Sequence, residues 1–69
     1  MKPSEWLRNA AQRAESGEIR TCIADSEAVW YVFLVMPTNL GKWPSEAEMD
    51  ATRPMRYLLA AAIAESEGR

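Results

Sequence analysis

The side chain best suited to covalent chemistry in this 69-residue chain is Cys22, its single cysteine. A thiol attacks as the thiolate, which forms at neutral pH only beside a base or a cation. Arg20 stands two residues away and offers a charge but no base. The chain contains no histidine, the residue most often recruited for general acid–base work. Cys22 therefore reads as a small buried apolar residue. Gly17, Gly41 and Gly68 are isolated from one another, so no glycine-rich phosphate loop exists. One thiol without histidine cannot build a zinc site, and the carboxylates lack the spacing of a calcium loop. No catalytic residue, cofactor or metal is expected, and no enzyme activity.

Recognition is what remains. Trp43 lies between Gly41 and Pro44 with Leu40 close by, and tryptophan is enriched at the energetic centres of protein interfaces. Glu46, Glu48 and Asp50 follow it. They read first as ordinary acids at a helix N-terminus, and alternatively as a charged rim that steers a basic partner. The expected partner-binding set is thus Leu40, Lys42, Trp43, Glu46, Glu48 and Asp50. The competing expectation is that Trp43 folds back to fill a small core. Trp30 and Tyr31 point in different directions in either a helix or a strand, so one of them can be exposed while the other packs.

Size sharpens the question of partners. A chain this short buries only about 60% of the surface it exposes when unfolded. Domains of this size commonly need a staple, a metal or a partner subunit. A single cysteine rules out an internal disulfide. With 48% hydrophobic residues and three tryptophans, the alternatives are self-association and an unusually tight monomeric core. A homodimer is the expectation, with Trp6, Ala10, Trp30, Met55 and Leu59 as the self-association residues.

Charge and hydropathy narrow the classes further. Eight basic and ten acidic residues leave a net charge of −2, and the basic residues are dispersed. No run of them could follow a phosphate backbone, so direct nucleic-acid binding is not expected. The longest apolar run, residues 28 to 36, is far too short to span a bilayer. Lys2 is followed by Pro3, Ser4 and Glu5 with no apolar signal core behind them. Together with the lone thiol, this makes a cytoplasmic protein the expectation.

The elements that must carry these residues are legible at both ends. Pro3 suits a first helical turn. Trp6, Leu7, Ala10, Ala11 and Ala14 recur at helical spacing up to Gly17, a natural terminator. Ser45 with Glu48 matches a capping box and predicts a helix from Glu46. Pro54 predicts a break or kink near Thr52 and Arg53. Beyond it, Met55, Leu58, Leu59, Ala62 and Ile63 form a stripe read as core, with Ala60, Ala61 and Ala64 free to pack on a symmetry mate. Gly68 ends the helix.

The middle reads two ways. Ile19, Thr21 and Ile23 alternate like a strand, and the β-branched and aromatic run at 28–36 could pair with them as a hairpin. Asp25 or Ser26 could instead cap a helix that Pro37 stops. Local propensity leans toward the hairpin.

Trp6-Leu7, Ala10-Ala11, Gly17, Cys22, the aromatic run closed by Pro37, Trp43, and Leu58-Leu59-Ala60-Ala61-Ala62-Ile63-Ala64-Glu65-Ser66 resemble small proteins encoded by tailed bacteriophages and prophages. The resemblance covers most of the chain. It implies a largely helical fold, a phage origin and, with no established activity attached, binding that modulates or inhibits a protein of the bacterial host. The chain departs from the pattern by being shorter between Cys22 and Trp43 and by placing Pro54 at the head of the last helix. The expectation is one small domain over residues 1–69, mostly α, a bundle of three to four short helices. The alternative is an α+β fold with a β-hairpin at about 18–36 packed on the terminal helices. A structural or assembly subunit of a phage or bacterial complex is the second functional expectation.

Overall fold

The computed structural model describes residues 2–18, 28–36 and 42–69, and the fold is mostly helical. Three helices follow in order: α1 (Pro3–Glu15), α2 (Ala28–Val35) and α3 (Glu46–Ser66). No strand occurs among the described residues, and the hairpin alternative is not supported. Cys22, Arg20, Leu40 and the proposed first strand of that hairpin lie outside the described residues.

Both ends of α1 follow from single residues. Pro3 stands at its first position, where a missing N–H breaks no helical bond. Glu5 reaches back to the Lys2 N–H at 3.4 Å. At the other end Gly17 takes φ +85°, a conformation that side chains disfavour. Its N–H donates to the Ala14 carbonyl, and the Glu18 N–H donates to the Arg13 carbonyl. Together these two bonds make a Schellman motif, which satisfies carbonyls the helix leaves open. Gly68 does the same for α3 at φ +76°, with the Gly68 and Arg69 N–H groups donating to Glu65 and Ala64.

α2 overturns the local preference of its own residues. Within the continuous apolar run, Ala28, Tyr31, Val32 and Val35 are buried at helical spacing, whereas Trp30 and Leu34 are exposed. A uniformly apolar run hides that period, because its exposed positions are as greasy as its buried ones. The helix is also finished by a residue remote in sequence. Arg56 of α3 donates from Nη1 to the carbonyls of Val35 at 2.5 Å and Met36 at 2.8 Å. A guanidinium there satisfies open carbonyls and meets the negative end of the helix dipole. Thr52 accepts from Arg56 Nε at 2.8 Å and holds the arginine in place.

α3 forms a single helix through Pro54 rather than two short ones. Proline in a helix interior removes one hydrogen bond and crowds the carbonyl four residues back, at a cost of about 3 kcal/mol. Packing on both sides of Pro54 offsets that cost. Arg53 is buried, Arg56 grips the end of α2, and Tyr57 is wholly buried. Ser45 caps the start, its Oγ accepting from the Glu48 N–H at 3.3 Å.

α3 is the spine. Its contact with α1 is the broadest in the structure, its contact with α2 comes next, and α1 and α2 meet only slightly. The core gathers Leu7, Ala10 and Ala11 from α1, Tyr31 and Val32 from α2, Met36, and Tyr57, Ala60, Ala61 and Ala64 from α3. Trp6 packs edge-on to Tyr57 with ring centroids 6.3 Å apart. Alanines on both helices let the α1 and α3 backbones approach closely, and Tyr57 and Leu7 supply the bulk.

This arrangement inverts the stripe read for α3. Tyr57, Ala60, Ala61 and Ala64 face inward, whereas Met55, Leu58 and Leu59 are 63%, 47% and 53% exposed. Ala62 is also exposed, and Ile63 alone of that stripe packs partly against the core. Residues 55–64 are apolar around most of the helix circumference, so periodicity cannot say which side is covered. The alanine face of α1 decides it, because only small residues on α3 permit the close approach.

Candidate interaction surface

Trp43 precedes the Ser45 cap and is 57% exposed. It does not plug the core. Lys42, Glu46, Glu48 and Asp50 are exposed around it in sequence. Glu46 and Glu48 occupy the first turn of α3, where acids are favoured by the helix dipole. Asp50 has a further task, since it accepts from Arg53 Nη1 at 2.9 Å. Arg53 is itself buried, and its Nε finds no hydrogen-bond partner. Of the partner-binding set, Lys42, Trp43, Glu46, Glu48 and Asp50 thus share one end of α3, and Leu40 lies outside the described residues.

The self-association residues do not share a face. Ala10 is buried in the core, and Trp6 is half-buried against it. Trp30 is exposed on α2, while Met55 and Leu59 are exposed on α3. Leu58, which the sequence pattern places in the core, is exposed with that α3 pair. The signal that could have placed it is the absence of charge at positions 51, 55, 58, 59 and 62.

Among the described residues, a close pairing of ionisable side chains joins α2 to the end of α3. Tyr31 Oη donates to Glu67 Oε1 at 2.5 Å. The pair lines an open cleft of about 420 Å³ with Trp30 and Arg69. The hydrogen bond to Glu67 pushes the Tyr31 pKa above its usual 10, and burial and the Glu67 charge push it the same way, while Arg69 opposes them. The phenol is therefore held protonated as a donor, which is a structural role. Because the folded-state pKa is the higher one, this bond supports the fold below about pH 10 and is lost as pH rises through the folded value. Urea midpoints from pH 8 to 11 are expected to fall less steeply for Tyr31→Phe than for wild type. Parallel slopes would show that Tyr31 does not contribute to the alkaline limb.

A second open cleft, of about 410 Å³, separates the start of α1 from the end of α3. Arg8 crosses it to Glu65, with Nε donating to Oε1 at 2.7 Å and Nη2 paired with the same oxygen. The Ser4 hydroxyl donates to the Arg69 carbonyl at 2.9 Å. Both partners of the ion pair are about half exposed, so its worth is at most about 1 kcal/mol. The cleft's polar groups bond one another and define no binding chemistry. Among the described residues no group of three or more His, Cys, Asp or Glu could hold a metal ion, and no helix is long and apolar enough to cross a membrane.

The described residues form a small, mostly helical fold that leaves several large apolar side chains exposed, among them Trp30, Leu34, Trp43, Met55, Leu58 and Leu59. No known protein family, curated protein or solved structure matches the chain.

Proposed function

We propose that this chain is a non-catalytic, phage-encoded interaction protein that binds and modulates a protein of the bacterial host. The observation that carries the reading is Trp43, held outside the core at the acidic start of α3. An exposed tryptophan offers a large, rigid anchor at low conformational cost, and anchors of this kind dominate binding energies. Glu46 and Glu48 beside it favour a basic partner surface and raise its rate of encounter. The protein would act in the host cytoplasm.

A tagged pull-down from nuclease-treated bacterial lysate tests the reading. Wild type is expected to recover one host protein. Trp43→Ala is expected to weaken that binding by about 2 kcal/mol, roughly thirtyfold. Glu46→Lys is expected to slow association and to weaken its dependence on salt. If both variants fold and bind like wild type, this surface is not the binding site.

A further inference from the structure

The open cleft beside α2 presents a carboxylate that no ion pair neutralises. Glu67 accepts from Tyr31 Oη through one oxygen, Oε1, and a carboxylate offers about four lone-pair sites on its two oxygens. Among the described residues the ion pairs are Arg8–Glu65, Arg13–Glu18 and Arg53–Asp50, and Glu67 belongs to none of them. Arg69 lines the same cleft of about 420 Å³ without pairing to it.

The facing wall is aromatic. Trp30 is exposed and lines the cleft. Its indole meets the Tyr31 ring at 86°, with centroids 5.3 Å apart. Tyr31 is buried and tied by its hydroxyl to Glu67. One rigid tyrosine thereby orients both the indole and the carboxylate, so a ligand using the two finds them already placed.

We propose that this cleft binds a guanidinium group, the arginine side chain of a partner protein, stacked on the Trp30 indole and paired with Glu67 Oε2. A guanidinium is planar and weakly hydrated, lies flat on aromatic rings and donates in a fork to a carboxylate. An ammonium is more strongly hydrated and has no plane to lay on the indole. Arg69 is the chain's own guanidinium in the cleft, and its charge opposes an incoming cation. The site goes beyond the Trp43 surface, since Glu67 and Trp43 flank opposite ends of α3, roughly 30 Å apart along the helix.

Titration of the isotope-labelled full chain with the blocked peptide Gly-Gly-Arg-Gly-Gly tests the assignment by NMR. The signals followed are the Trp30 indole N–H and the Glu67 backbone N–H. Saturable shifts are expected, with a dissociation constant on the order of 10 mM for so small a ligand. Sodium chloride at equal ionic strength is expected not to reproduce them. Trp30→Leu, read at Glu67, and Glu67→Gln, read at Trp30, are each expected to weaken binding about threefold or more. Glutamine keeps an acceptor for Tyr31 Oη, and unchanged helical circular dichroism checks both folds. Arg69→Ala keeps that residue's backbone bonds to Ser4 and Ala64 and is expected to tighten binding about twofold. The peptide with lysine in place of arginine is expected to bind about threefold more weakly.

Absence of saturable shifts up to about 50 mM peptide, several times the expected constant, overturns the proposal. So do shifts that sodium chloride reproduces, or binding that survives both variants in full. A lysine peptide that binds equally well overturns the guanidinium assignment and leaves a plain ion pair. Free arginine binding about tenfold more tightly than the peptide makes the occupant a small molecule and overturns the partner assignment. Trp43→Ala is expected to leave the titration unchanged, so failure here and failure of the host pull-down are separate results.

Discussion

Pro54→Ala is expected to raise the thermal midpoint of this protein by on the order of 10 °C. Pro54 sits at the ninth position of α3, where alanine is favoured by about 3 kcal/mol. Proline restricts the unfolded chain and recovers roughly 0.4–1 kcal/mol of that. A net gain of about 2 kcal/mol remains. In a domain of this size each kcal/mol moves the midpoint by roughly 4–8 °C. The new N–H also restores the bond to the Asp50 carbonyl, and Arg53 and Arg56 keep their partners because neither depends on the ring. Circular dichroism melts of the two proteins measure the effect. An unchanged or lowered midpoint would mean that the backbone set by Pro54 is needed to bring Arg56 onto the end of α2.

Tyr57→Ala is expected to unfold the chain at room temperature. Tyr57 is fully buried where α1 meets α3, with Trp6 edge-on against it. Truncating a buried aromatic costs about 3–5 kcal/mol. A 69-residue domain has roughly 3–10 kcal/mol in total. The informative control is Leu58→Ala, one residue along the same helix and about half exposed. Its cost is expected to stay below about 1 kcal/mol, because truncating an exposed side chain leaves little cavity behind. Urea titrations of both variants decide the orientation of α3. A Leu58→Ala loss larger than that of Tyr57→Ala would mean that the helix is turned the other way.

These two substitutions mark where the sequence was readable and where it was not. The limits of α1 and the start of α3 could be placed in advance because each rests on one residue with a local effect. Pro3 tolerates only a first turn, Gly17 and Gly68 adopt a backbone that other residues resist, and Ser45 supplies an acceptor to the Glu48 N–H. The same local logic predicts a break or kink at Pro54; α3 does not break there, because the proline penalty is smaller than the packing lost if the helix ended. The neighbours of Trp43 could not separate exposure from a place in the core, and the structure leaves it exposed.

What the residues determined unaided is the pair of helical ends, their caps, and an excess of apolar surface for so short a chain. Tertiary structure alone decided that 28–35 is helical, since that run carries no visible period and its closing cap comes from Arg56, some twenty residues away. It also decided which side of α3 faces inward. Apolar residues surround that helix, and burial goes to the side whose small residues let α1 come close. Leu58 and Leu59 are left outside for that reason, although they are the more hydrophobic pair, because the chain's one long helix has two apolar faces and only one set of neighbours.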